Sequence, residues 1–189
     1  MESTAQIIRI LAVSGSLRRV SSNTALLQAA IALSPPNIDI RLYSGLGNLP
    51  HFNPDLEPAD PPAVSDLRRQ MAWSDGLLIS SPEYAHGVPG SLKNMLDWLV
   101  SGEEFVGKPI ALFNASPRAV HAQASLIEVV TTMAGQLVPE ASIAVALLGR
   151  QLDAAAIAAD PEISGQVKAA IAAFAAAIGQ LPPRSSPRA

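Results

Sequence analysis

The apolar run Gly76-Leu77-Leu78-Ile79 stops at a loop that holds Pro82, Gly87, Pro89 and Gly90, and Leu92, Met95, Leu96 and Leu99 follow at helical spacing. No other stretch restricts the fold so tightly. A short unbroken apolar run reads as a strand covered on both faces, because a half-exposed strand alternates apolar with polar residues. The spacing after the loop gives a helix one apolar face. A buried strand that enters a helix through a Pro/Gly-rich loop is the repeating unit of a parallel α/β sheet, and such sheets hold ligands at the C-terminal ends of their strands.

The same alternation runs along the whole chain of 189 residues. Residues 7–13 form an apolar run broken only by Arg9, and residues 24–33 predict a helix with Asn23 placed to cap it. Residues 38–42 alternate as an edge strand would. Val64, Leu67 and Met71 mark a second helix, residues 77–80 a third strand, and residues 92–100 a third helix. Residues 109–114 and 119–133 give a fourth strand and helix, and residues 143–147 a fifth strand. Val167, Ala170, Ile171, Phe174 and Ile178 stripe a last helix. Five strands alternating with five helices predict a parallel sheet with right-handed crossovers. A single domain over residues 1–189 is expected, with residues 1–5 and about 182–189 frayed. The long connection 44–62 carries five prolines and no periodicity, a length usually kept for function or partner contact.

Composition narrows the chemistry. Cysteine is absent, which removes disulfides, thiolate catalysis and cysteine-ligated metal. His51, His86 and His121 lack metal-ligand spacing. A net charge of −3 without a basic cluster argues against nucleic acid. No segment reaches the ~18 apolar residues of a membrane span. No basic region precedes the first apolar run, so a cytoplasmic protein without a cleaved targeting peptide is expected.

Three loops lie on the predicted ligand-binding edge. The first, residues 15–23, precedes a helix N-terminus, where unpaired N–H groups and the helix dipole favour an anion. Ser16, Ser21, Ser22 and Asn23 add neutral donors, and Arg18 adds a guanidinium fork suited to phosphate oxygens. The loop has neither a nucleoside-triphosphate P-loop nor the G-x-G-x-x-G dinucleotide pattern, so a monophosphate fits it best. A plain Ser-rich turn with Asn23 as helix cap is the alternative. The second loop offers Pro82, Glu83, Tyr84, Ala85, His86 and Gly87. Its prolines preset the backbone, its N–H groups can meet ring heteroatoms, and Tyr84 can pack against a ligand edge. One loop for a phosphate and one for a planar ring point to flavin mononucleotide (FMN). In the third loop, residues 114–121, Ser116 can bond the far edge of the ring. Arg118 has two equal readings, a second nucleotide's phosphate or solvent, and His121 reads as a surface or packing residue. Lys93, Asn94 and Asp97 are read as solvated or capping, and Trp98 as core or interface.

With these residues in view, the chain resembles the NADPH-dependent FMN reductases, a flavodoxin-like group that includes chromate, quinone and azo-dye reductases. The resemblance spans about residues 7–147. It rests on Gly15, Ser16, Arg18, Ser21 and Asn23, on Leu49-Pro50-x-Phe52-Asn53-x-Asp55, and on Pro82-Glu83-Tyr84 continuing through Pro89-Gly90-x-Leu92-Lys93-Asn94 to Asp97-Trp98. It implies a flavodoxin-like three-layer α/β sandwich with a five-stranded parallel sheet of order 2-1-3-4-5. It also implies FMN at the strand C-termini, with Ser16, Arg18, Ser21 and Asn23 on the phosphate and residues 82–84 onward along the isoalloxazine. Homodimers or homotetramers are implied as well. Two departures stand out. Ala85 occupies a position where many members carry Asn, so His86 is the candidate to replace that hydrogen bond. Residues 116–121 replace a Gly-rich loop, which bears on access for the nicotinamide or acceptor.

The expected function is an FMN-dependent NAD(P)H oxidoreductase. Hydride would pass from NADPH or NADH to FMN, and electrons from there to a quinone, azo, nitro, flavin or oxidised-metal acceptor, in ping-pong order. No protein nucleophile is needed, which agrees with the lack of a Ser/His/Asp or paired-carboxylate set. A flavodoxin-like electron carrier and a non-catalytic FMN-binding regulatory module are the rival readings.

Overall fold

The structure, a computed structural model, describes residues 7–147 and 149–181. The ends expected to fray lie outside the described residues. Strand β1 (Ile8–Ser14) leads through the first loop into helix α1 (Ser22–Leu33), then to β2 (Ile38–Leu42), α2 (Pro62–Trp73), β3 (Gly76–Ser80) and α3 (Gly90–Leu99). Next come β4 (Pro109–Asn114), α4 (Val120–Thr132), β5 (Gln136–Leu137), β6 (Ile143–Ala144), α5 (Ala154–Ala159) and α6 (Pro161–Gly179). The strands are parallel in the order β2-β1-β3-β4-β5, with β6 also paired to β4. This is the expected flavodoxin-like order.

Side chains alternate across each strand, so every central strand feeds both faces of the sheet. Ile10 and Ala12 of β1 pack with Leu26 and Leu27 of α1, Ile157 of α5, and Val167, Ile171 and Phe174 of α6. Leu11 and Val13 face the other way, onto Leu67 and Met71 of α2, Leu92, Met95 and Trp98 of α3, and Leu126 and Val130 of α4. Two apolar layers around one sheet give the three-layer sandwich.

The expected continuous fifth strand over 143–147 is a correction. Two short pieces share the edge of β4. Pro109 and Ile110 pair with Gln136 and Leu137, and Phe113 and Asn114 pair with Ile143 and Ala144. Pro139 starts a one-turn 3-10 helix between them, because proline cannot donate to a ladder. Helix α5 was not legible in the sequence: its alanine-rich run shows no clear apolar stripe. Asp153 caps it, accepting from Ala156 N at 2.8 Å.

The long connection is ordered by α3. Asn94 Oδ1 accepts from Phe52 N at 2.7 Å, and Asn94 Nδ2 donates to Pro50 O at 2.9 Å. Trp98 Nε1 donates to the same carbonyl at 2.8 Å, and its ring meets Phe52 edge-on at 5.1 Å. Asn94 is therefore a clamp and not the solvated or capping residue expected. Trp98 is buried core, as one of its two readings had it. Lys93 pairs with Asp97 at 2.5 Å on the helix surface. Elsewhere the buried Lys108 donates from Nζ to Met71 O at 2.7 Å and Ser74 O at 2.6 Å. That ammonium satisfies carbonyls at the end of α2 and ties them to the start of β4.

Candidate functional site

β1, β3 and β4 all end on one edge of the sheet, and a cavity of about 340 Å³ opens there. Its lining draws on all three loops. The first gives Ser16, Arg18, Ser21, Ser22 and Asn23, the second Pro82, Glu83 and Tyr84, and the third Ser116 and Arg118. Ala85, His86 and Gly87 lie outside the lining. The size is that of a small-molecule site.

The first loop is shaped by its own hydroxyls. Ser16 N donates to Ser14 Oγ at 3.3 Å, and Arg18 N donates to Ser16 Oγ at 3.3 Å. Gly15 N donates to Ser80 O at 2.8 Å, which presses the loop onto β3. A Cβ on Gly15 would stand 2.6 Å from Ser81 Oγ and 3.1 Å from Leu92 Cδ2, so any larger residue would force those side chains to shift. Helix α1 is capped by Ser21, whose side chain accepts from Thr24 N. This corrects Asn23 as the cap. Asn23 sits inside the first turn, buried, and its Oδ1 accepts from Ser80 Oγ at 2.9 Å. Asn23 also lines the cavity.

The second loop closes on itself. Tyr84 and Gly87 exchange backbone hydrogen bonds of 3.2 and 2.9 Å, and Ala85 and His86 between them have φ of +49° and +61°. Two positive φ values in sequence make a tight turn of the type that Asn and Gly favour. Tyr84 is half exposed on the rim. The His86 ring stacks on His121 at 4.2 Å, with 23° between the planes. His86 thus spends a face on α4, and the packing reading of His121 fits its position.

Glu83 does something the sequence did not signal. Its Oε2 accepts from Ala122 N at 2.9 Å, in the first turn of α4. The α4 N-cap, Ala119, makes no side-chain cap bond, so a carboxylate from the second loop takes that place. The third loop repeats the build of the first. Ser116 N donates to Asn114 Oδ1 at 2.9 Å, and Arg118 N donates to Ser116 Oγ at 3.3 Å. Ser81, Asn114, Ala115 and Ala119 complete the cavity. The sequence does not single them out because Ser81 directly follows β3 with no signal of its own, and the others are short side chains whose role is set by the loop path.

A cavity with hydroxyls and a guanidinium at a helix N-terminus, beside a Pro/Tyr rim, suits a phosphate joined to a planar ring. The donor set therefore fits FMN. Among the described residues no group of three or more His, Asp or Glu could hold a metal, and no helix is long and apolar enough to cross a membrane.

Fold and site together define an α/β protein of the mononucleotide-binding, flavodoxin-like class. Residues 8–148 match the NADPH-dependent FMN reductase family, and the chain belongs to that family. It is 43% identical over 112 residues to the NAD(P)H-dependent FMN reductase PA1204 of Pseudomonas aeruginosa, covering 58% of this chain and 60% of the relative. It is 44% identical over 97 residues to an NADPH:quinone oxidoreductase of Arabidopsis thaliana, covering 49% of each. The chain thus spans between half and 60% of the length of these relatives. The solved structure of FerB, a flavoenzyme NAD(P)H:(acceptor) oxidoreductase of Paracoccus denitrificans, superposes with a TM-score of 0.75 at 28% identity, over 92% of this chain and 98% of FerB.

Proposed function

We propose that this protein is an FMN-dependent NAD(P)H oxidoreductase that passes electrons to a small acceptor of the quinone class. The observation that carries the reading is the cavity itself: Arg18 and four polar side chains at the N-terminus of α1 stand beside the Pro82–Tyr84 rim. Ser16, Arg18, Ser21, Ser22 and the Asn23 amide would hold the phosphate. The rim and Ser116 would orient the ring and exclude water from one side of it. Bound FMN would supply the hydride-accepting chemistry, so the protein contributes position and electrostatics. The names of the relatives, an FMN reductase and quinone oxidoreductases, support the acceptor class.

Leu17, Val20 and Tyr84 on the first two loops, and Val120 at the start of α4, are exposed. They support a homodimer or homotetramer that covers this rim. Trp98 is fully buried and is not part of that exposed surface. We place the protein in the cytoplasm, where NAD(P)H is supplied.

The test is anaerobic reduction of the FMN-loaded protein by NADPH and by NADH, followed by a panel of quinones. Rapid bleaching of the flavin by one nicotinamide, with parallel double-reciprocal plots against quinone, is the expected result. A bound flavin that neither nicotinamide reduces would reject the oxidoreductase reading.

A further inference from the structure

Two guanidinium groups line the cavity, and neither has an ion-pair partner among the described residues. Arg18 comes from the loop after β1 and Arg118 from the loop after β4. The two loops are built alike, with each arginine N–H donating to the Oγ of the serine two positions before it, at 3.3 Å in both. β3 lies between β1 and β4, so the loops stand two strand spacings apart, about 10 Å. A phosphate seated on the Arg18 loop leaves Arg118 for another part of the ligand. The other positive group on that side, the N-terminus of α4, is already matched by the Glu83 carboxylate. Arg118, exposed at the cavity mouth, is therefore a cation that no carboxylate among the described residues pairs with.

FMN has one permanent anionic group, its phosphate. A second negative charge arises only on reduction. Hydride from a nicotinamide would bring two electrons and one proton, so a bound flavin would gain one negative charge on its ring when reduced, at the N1–C2 carbonyl edge. Charge placed near that edge tunes the cofactor. Resting on the FMN reading above, we propose that Arg118 stabilises the reduced flavin, by facing the ring edge across the cavity from the phosphate. Arg118 thereby raises the potential at which the protein accepts electrons from a nicotinamide.

The test is the midpoint potential of bound FMN, read by equilibration with reference dyes under nitrogen, for the wild type, Arg118→Gln and Arg118→Lys. Oxidised FMN and riboflavin are titrated onto the same proteins. Arg118→Gln should weaken reduced FMN relative to oxidised FMN by about tenfold, a fall of about 30 mV for a two-electron couple. Arg118→Lys should restore most of it, and the oxidised ligands should bind nearly as before. An unchanged potential overturns the proposal. So does weaker binding of oxidised FMN with riboflavin unaffected, which would put Arg118 on the phosphate. So does a raised KM for NADPH alone at constant potential, which would put it on a nicotinamide nucleotide. If the wild type binds no FMN, the oxidoreductase reading falls as well. If it binds FMN and only the potential fails to move, the role of Arg118 falls alone.

Discussion

Glu83 and Ala122 meet through a 2.9 Å hydrogen bond, the backbone N–H of Ala122 donating to Glu83 Oε2. The bond joins the second ligand loop to the first turn of α4, and the His86–His121 stack joins the same two segments again. Loss of the carboxylate leaves that helix end without a side-chain acceptor. Glu83→Ala should cost about 1 kcal/mol, as lost caps do, and lower Tm by about 2–4 °C for a chain of this length. Glu83→Gln keeps an oxygen in place and should recover most of the loss. A thermal melt in which Glu83→Ala matches the wild type would show that the bond carries no stability.

Arg18 should discriminate between FMN and riboflavin. A charge-assisted hydrogen bond is worth about 1.5–3 kcal/mol, so Arg18→Ala should weaken FMN by roughly tenfold to a hundredfold. Riboflavin has no phosphate and should bind both proteins alike. Fluorescence-quenching titration reads both constants, and an equal loss for the two ligands would place Arg18 elsewhere than on the phosphate.

Ala85 has φ of +49°, a conformation that costs a non-glycine residue about 1 kcal/mol or more. Asparagine tolerates it better because its short side chain hydrogen-bonds locally. Ala85→Asn should raise Tm by about 2–4 °C. A Tm at or below that of the wild type would mean that the turn holds no strain at this residue.

Asp160 caps α6, accepting at Oδ1 from Ile163 N and Glu162 N, both at 3.1 Å, and it pairs with Arg150. The bond from Ile163, with lesser help from Arg150, holds its carboxyl below the usual 3.8. A lowered folded-state value means that the ionised form stabilises the fold. The contribution is complete above the ordinary aspartate pKa and disappears as pH falls through the lowered value. Asp160→Asn keeps a capping oxygen without the charge. Its Tm should trail the wild type at pH 7 and converge with it in strong acid. A constant gap across that range would mean that the charge plays no part.

Much of the fold could be read from periodicity. The buried runs of β1, β3 and β4 and the striped helices α2, α3 and α6 stood out because each carries its own pattern. Boundaries moved by a residue or two where caps decide them, as with Ser21 in place of Asn23. The fifth strand differs from expectation because residues 143–147 look apolar, whereas pairing to β4 is shared with Gln136 and Leu137 around Pro139. In the site, nine of the twelve residues singled out from the sequence line the cavity. Ala85, His86 and Gly87 lie outside its lining.

What the sequence determined by itself is local: which segments are strands and helices, which loops carry hydroxyls and arginines, and that those loops follow strands. Hydrophobic period and turn chemistry act over a few residues, so one strand of text contains them. What only the tertiary structure decided is pairwise and distant. Glu83 caps a helix that starts 37 positions later, Asn94 and Trp98 pin a loop from more than forty positions away, and Arg18 and Arg118 come to line one cavity. Those partners are chosen by strand order and by the need of each buried donor and acceptor to find a mate. Neither condition is written in the spacing of residues along the chain.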